Sequence, residues 1–464
     1  MKLTIARLNP SCAAAILAAA ISPLCAAQPA ATDPAPKLGE LVQAYANSKV
    51  LTNEFMGSVL VAQGSKILLN QGYGSADLDW GVANTPDTKF RLGSLTKQFT
   101  SASILLLEER GKLSTGDLVK KYVPDAPAAW DKITIYNLLT HTSGIPNFTA
   151  FPEYRTNEWE DAKPVELVAR FKDKPLDFEP GTEYRYSNSG YILLGYILEQ
   201  VSGQSYSDFV QQNLFTPLGM KDTGVDRNTS VLLHRAQGYE PHTGGPKVAS
   251  YINMSIPFSA GSLYSTTGDL LKWEQGLFGG KLLNPASLKK MTTPFQANYA
   301  CGLQIMTILG HKAIMHGGSI EGFSTSLAYF PDEKDGPLTV VVLSNAQSNV
   351  GLISQDIAKV AFGLPVKLPR QDLPAEIALS DAALQNFVGT YQLTPNFAIT
   401  FTVEKGQLIS QATGQGKLPL FAESPTKFFS KLVDAEIEFS LDPAGKAVTM
   451  TLYQNGNHIA GPKN

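Results

Sequence analysis

Cysteine is almost absent from this chain of 464 residues: Cys12, Cys25 and Cys301 are the whole supply. The first two fall in a segment read as a cleavable leader, so the mature chain would keep one thiol. No intrachain disulfide could then form, even in a compartment that permits them. A thiolate metal site is excluded for the same reason. The six histidines show neither H-E-x-x-H nor any other paired ligand spacing, so no metal or other cofactor is expected. Cys301, between Ala300 and Gly302, reads as a small core residue. An excess of positive charge is also missing. The formal net charge is -3, and loss of Lys2 and Arg7 with the leader makes it -5, on 36 basic and 41 acidic side chains. That balance argues against nucleic acid or an anionic membrane surface as a partner. Long apolar runs are lacking too: Ala13 to Ile21 is too short to span a bilayer, so no integral membrane segment is expected after leader removal. There is no internal repeat.

What is present begins with the leader, residues 1–27. Lys2 and Arg7 form a positive start, Ala13 to Ile21 an apolar core, and Cys25-Ala26-Ala27 a small-residue cleavage site before Gln28. This implies a periplasmic or secreted protein. Ser22 stands where a lipoprotein signal usually has leucine. The mature chain is longer than one core usually holds. Leu38 to Phe55 reads as an amphipathic helix, and Gly57 to Ala62 and Lys66 to Tyr73 read as a β-hairpin around Gln63-Gly64-Ser65. From Lys97 to Phe278 the pattern is mainly helical, and the nearly all-apolar run Tyr191 to Val201 predicts a buried helix. Strand signals return at Phe323 to Phe330 and Leu338 to Leu343, followed by a helix over Gly351 to Phe362. Such an order predicts an α/β fold in which early and late strands share one sheet, with helices on its faces and a helical insertion between. The first domain is thus 38–362. Residues 363–380, holding Pro365, Pro369 and Pro374, read as a linker. The last unit, 381–464, holds short β runs at Tyr391, Ile399 to Val403, Gln407 to Gln411, Ile437 to Leu441 and Ala447 to Tyr453. They predict a small all-β, barrel-like domain, either a stabilising appendage or a gate with the end near His458 facing the cleft.

Chemistry concentrates at Ser94-Leu95-Thr96-Lys97, which sets a hydroxyl and an amine three residues apart at the start of a helix that Gly111 ends. Residues i and i+3 share a helix face, so Lys97 stands one turn from Ser94. A serine needs a neighbouring base to attack a carbonyl. A lysine can be that base only if burial or nearby charge lowers its pKa from about 10.4 towards neutrality. Leu92, Leu95, Phe99 and Ile104 supply apolar company. The same spacing recurs at Ser287 to Lys290, a polar helix face, and at Ser424 to Lys427, a loop holding Pro425. Tyr186-Ser187-Asn188 follows the turn Pro180-Gly181 and precedes the buried helix, so Tyr186 could share protons with Lys97 and Asn188 could orient lysine and substrate. Its pattern, Y-x-N, also recurs at Tyr45, Tyr251 and Tyr453. His316-Gly317-Gly318 is the third element. Glycines next to a strand permit close backbone approach, and the amides of Ser94 and Ser319 could hold an oxyanion.

Taken together, S-L-T-K at 94, Y-S-N at 186 and H-G-G at 316 resemble the ordered motifs of the serine β-lactamase-like superfamily, in its class C/D-alanyl-D-alanine carboxypeptidase/esterase branch. The runs F-R-L-G-S-L-T-K-Q-F, L-L-T-H-T-S-G-I-P and F-E-P-G-T-E-Y-R-Y-S-N-S-G-Y share the likeness, which covers about Leu38 to Phe362. The resemblance implies a β-lactamase/transpeptidase-like antiparallel sheet flanked by helices. It implies Ser94 as the acylated nucleophile, Lys97 and Tyr186 as the proton-transfer pair, and Asn188, His316, Gly318 and Ser319 on the substrate. The tail is similar to a lipocalin-like β-domain. The expected activity is acyl-enzyme hydrolysis of an ester, amide or peptide bond in a small-molecule or peptide substrate. β-Lactamase and D-alanyl-D-alanine carboxypeptidase activity are alternatives, and a non-catalytic secreted binding protein is the rival from another class. A histidine at the third motif, with an ordinary pKa of about 6.5, argues against efficient β-lactam turnover. His141, in L-L-T-H-T-S-G, could instead begin a Ser94–His141 triad, although the resemblance gives that loop a structural role. A G-x-S-x-G elbow is missing, because Leu92 and Thr96 occupy its glycine positions.

Overall fold

The N-terminal hairpin forms as expected: Gly57–Gln63 and Lys66–Tyr73 pair antiparallel around a turn whose Gly64 has φ 57°. The computed structural model describes residues 37–47, 55–242, 245–368, 373–395, 397–413, 416–433, 435–454 and 457–464. The expected leader and residues 369–372 of the expected linker lie outside these. On its other edge Gly57–Gln63 pairs with Leu338–Ser344, from Gly57 opposite Ser344 to Gln63 opposite Leu338. The sheet runs in the order Gln304–Ile308, His311–Ile320, Phe323–Phe330, Leu338–Ser344, Gly57–Gln63, Lys66–Tyr73, every neighbour antiparallel.

The two central strands are apolar on both faces because both faces are covered. Leu60, Val341 and Leu343 point into the larger core, shared with the helical region. Val59, Val61, Val340 and Val342 alternate with them and point to the other side. There they meet Leu41, Val42 and Tyr45 of helix Leu38–Asn47 and Ile353 and Ile357 of helix Val350–Ala361. The first helix is described over Leu38–Asn47 and does not reach Phe55. Phe55 is not helical; it is buried beside the Tyr73 ring, at 6.4 Å between centroids, so its apolarity serves packing onto the sheet. Residues 48–54 lie outside the described ones. The inserted helices include Thr96–Glu109, Asn188–Ser202 and Thr267–Phe278.

His316-Gly317-Gly318 lies inside a strand, not next to one: His316 pairs with Leu327, Gly317 with Ser326 and Gly318 with Thr325. The glycines and the half-exposed edge partner Gln304–Ile308 hid this hairpin from the sequence pattern.

Beyond the expected linker, eight strands from Gly389–Thr394 to Asn457–Pro462 each pair antiparallel with the next. The barrel nearly closes through a bridge between Tyr391 and Lys463 and a hydrogen bond from Asn464 N–H to Thr390 O at 2.9 Å. Its interior is filled by its own aromatic core: Tyr391, Phe401 and Phe439 meet edge-on at 5.0 to 5.5 Å, with Phe387 and Phe428 beside them. No helix among the described residues is long and apolar enough to cross a membrane.

Candidate active site

Three features of local sequence put Ser94 in place. Gly93, at φ 53°, starts a tight turn over Gly93–Leu95 that runs into helix Thr96–Glu109. The turn is pinned by Leu92, whose N–H donates to Leu263 O and whose carbonyl accepts from Thr325 Oγ1, both at 2.8 Å. It also lies directly against strand His311–Ile320. A Cβ on Gly93 would be 2.9 Å from Ser319 N, and one on Gly318 would be 2.0 Å from Leu92 O. Only glycine allows this approach.

Lys97 stands one turn further on and is fully buried, as is most of its helix. Its Nζ lies 3.0 Å from Ser94 Oγ and donates to Asn188 Oδ1 at 2.8 Å and to Ala260 O at 2.9 Å. Burial holds its pKa well below the ordinary lysine value. Tyr186 Oη donates to Ser94 Oγ at 2.7 Å, and its ring centroid lies 4.8 Å from Lys97 Nζ. Burial raises that phenol above its ordinary pKa, outweighing the opposing effect of the Ser94 bond, so Tyr186 holds its proton at neutral pH. Asn188 opens helix Asn188–Ser202. Its N–H donates to Asn147 Oδ1 at 3.0 Å and its Nδ2 to Thr149 Oγ1 at 3.1 Å, which fixes Oδ1 towards the lysine.

His316 is buried, with Nδ1 2.6 Å from Gly317 O and Nε2 2.9 Å from Tyr299 Oη. A carbonyl can only accept, so Nδ1 carries the proton and Tyr299 donates to Nε2. Burial, and then the nearby Lys97 charge, bring its pKa down to about 4. The third motif is therefore neutral at pH 7. His141 makes no hydrogen bond to Ser94: its Nδ1 accepts Ser187 N–H at 3.1 Å, and its Nε2 has no hydrogen-bond partner among the described residues. The alternative Ser94–His141 pair is not formed. Cys301 is buried, its thiol pushed up to about 12 by burial, as suits a core residue.

Ser94 sits between two cavities. One, of about 290 Å³, is lined by Gly93, Ser94, Asn188 and Ser319, and also by Tyr154, Arg155, Glu240 and Glu321. The other, of about 490 Å³, is lined by Ser94, Tyr186, His316, Gly318, Ser319 and Ser326. Hydrogen bonds thus join Ser94, Lys97, Tyr186 and Asn188, while His316, Gly318 and Ser319 face the same cleft. Tyr299, Arg155 and Glu321 had no local signal in the sequence. Arg155 Nη1 reaches across to Glu158 and Glu321, both at 3.2 Å. The described residues contain no group of His, Cys, Asp or Glu able to hold a metal ion.

Residues 52–362, more than half of the chain, match the family model described as beta-lactamase. The chain belongs to the beta-lactamase family. Its beta-lactamase region is followed by residues 373–461, which match a model described as a domain of unknown function. Penicillin-binding protein 4* of Bacillus subtilis is 31% identical over 432 residues, covering 87% of this chain and 94% of that protein. A penicillin-binding protein from Bacillus halodurans is 26% identical with a TM-score of 0.61, covering 70% of this chain and 99% of the other. A D-stereospecific amidohydrolase from a Streptomyces species is 25% identical with a TM-score of 0.59 and the same coverage. This beta-lactamase-family member is a serine hydrolase of the acyl-enzyme type.

Proposed function

We propose that Ser94 is the acylated nucleophile, that Lys97 and Tyr186 move its proton, and that the amides of Ser94 and Ser319 hold the oxyanion. The observation that carries this reading is the convergence of Lys97 Nζ and Tyr186 Oη on Ser94 Oγ, both in buried surroundings. A neutral Lys97 has two N–H bonds, which Asn188 Oδ1 and Ala260 O take up. Its lone pair is left for the Ser94 hydroxyl proton. Ser94 Oγ then attacks the substrate carbonyl while the proton passes to Lys97. As the tetrahedral intermediate collapses, the proton reaches the leaving oxygen or nitrogen through Tyr186, which gives up its own proton and receives that of Lys97. Water releases the acyl group by the reverse proton path.

The substrate we propose is a small peptide, amide or ester of the kind taken by the class C/D-alanyl-D-alanine carboxypeptidase/esterase branch. Likeness to a D-stereospecific amidohydrolase supports an amide of D configuration among these. Neutral His316 offers no cation to a β-lactam carboxylate, so we expect β-lactams to acylate Ser94 and leave slowly. The leader pattern supports work in the periplasm or outside the cell, and the eight-stranded, nearly closed barrel supports a lipocalin-like tail. The test is covalent labelling with a fluorophosphonate and a penicillin probe. Ser94→Ala should abolish both labels, and the penicillin adduct on the native protein should be long-lived. Labelling that persists at another residue of the variant would overturn the reading.

A further inference from the structure

Residue 141 has φ 56°, in the left-handed region that few side chains adopt and that asparagine, aspartate and histidine tolerate best. A histidine there needs a reason, and its contacts supply one. His141 O accepts the Arg185 N–H at 3.0 Å, and His141 Nδ1 accepts the Ser187 N–H at 3.1 Å. Between those two amides comes Tyr186, whose ring lies on the imidazole with centroids 4.3 Å apart at 39°. One residue therefore grips the chain on both sides of Tyr186 and supports the ring itself. Since Nδ1 accepts, the imidazole proton is on Nε2, which is buried and has no hydrogen-bond partner among the described residues. The rings of Tyr191 and Tyr299 enclose it at 5.0 and 4.7 Å, with Tyr184 at 6.1 Å. An apolar side chain would fill this space without a stranded N–H. Burial, with Lys97 and His316 nearby, keeps the ring neutral and its acceptor lone pair intact.

We propose that His141 is a positioning residue for acyl transfer, holding the Tyr186 hydroxyl on Ser94 through the flanking amides and its ring face. It need not touch substrate. The proposal rests on the reading of Tyr186 as the proton relay, and a double-mutant cycle separates the two. The variants are His141→Gly, which suits the backbone but removes acceptor and ring, His141→Asn, which suits the backbone and keeps an acceptor, and Tyr186→Phe. Each His141 variant is made alone and with Tyr186→Phe, and the kcat and KM for an activated ester are measured beside the melting temperature. H141G should lose about 100-fold in kcat with KM little changed and a lower melting temperature from the cavity it leaves, and H141N should recover about tenfold of that activity. In the Y186F background, H141G should cost less than about twofold more. A loss that multiplies with that of Y186F, or no loss in H141G, overturns the proposal while leaving the relay reading intact. Full activity in Y186F overturns both. Should H141G not fold, H141N decides on the same terms: its roughly tenfold loss must vanish in Y186F, and a multiplied loss, or none, overturns the proposal.

Discussion

The protonation states of three neighbours set how Ser94 responds to pH. Lys97 is fully buried and its pKa is driven down by that burial, whereas His316 is neutral down to about 4 and Tyr186 keeps its proton. Above its lowered pKa, Lys97 is an amine that can accept the serine proton; as pH falls through that value it gains charge and the base is lost. Acylation of Ser94 should therefore fall on the acid side because of Lys97. Lys97→Met should reduce the fluorophosphonate reaction by about 10² to 10⁴-fold, while His316→Gln should leave the acid limb of the rate profile in place. An acid limb that moves in H316Q and not with Lys97 would assign the titration to the wrong group. Such residues were legible in the sequence because their chemistry needs short, fixed spacings: three residues from Ser94 to Lys97, two from Tyr186 to Asn188. Tyr299 and Arg155 were not, since each reaches the site only through tertiary folding and carries no pattern with its chain neighbours.

Elements reach the site by close backbone contact, which makes two glycines into fixed points. A methyl group on Gly318 would meet Leu92 O at 2.0 Å and Thr325 Oγ1 at 2.4 Å, and both of those atoms are engaged with each other. Gly318→Ala should push strand His311–Ile320 from the Gly93–Leu95 turn. The expected cost is about 1–3 kcal/mol of stability and about 10²-fold in kcat/KM, since a displacement near 1 Å is enough for that. Denaturant midpoint and turnover measured on one preparation check both. The same glycines explain what the sequence concealed at this scale. Gly317 and Gly318 break the alternation that marks a strand, although the ladder to Phe323–Phe330 runs straight through them. In the barrel, Lys417–Ala422 holds Pro419 and Lys427–Ser430 is only four residues long, so neither strand stood out. Leu338–Ser344 was visible because burial on both faces makes its centre, Val340 to Leu343, continuously apolar, and Phe323–Phe330 because its second half, Leu327 to Phe330, is apolar and aromatic.

At the scale of the molecule, all six strands of the hydrolase sheet precede Asn345, and the barrel has a separate aromatic core. A chain ending at Leu368, which keeps Val366 against the second hydrolase core, should still fold and react at Ser94. Comparing its rates on small and bulky acyl substrates tests the barrel. An unchanged ratio leaves it a structural appendage, and a selective gain on bulky substrates makes it a gate. The composite sheet was legible because its early and late strand signals flank a long helical stretch. Its central pairing, Gly57–Gln63 against Leu338–Ser344, also has a consequence in time. A chain that emerges from its N-terminus exposes Gly57–Gln63 long before its partner exists. Its open edge and apolar faces must wait until Ser344 is free, and pairings so distant in sequence form slowly. Until then the hairpin is a strand template open to other copies. The interval between the two central strands is when this chain most needs protection from aggregation.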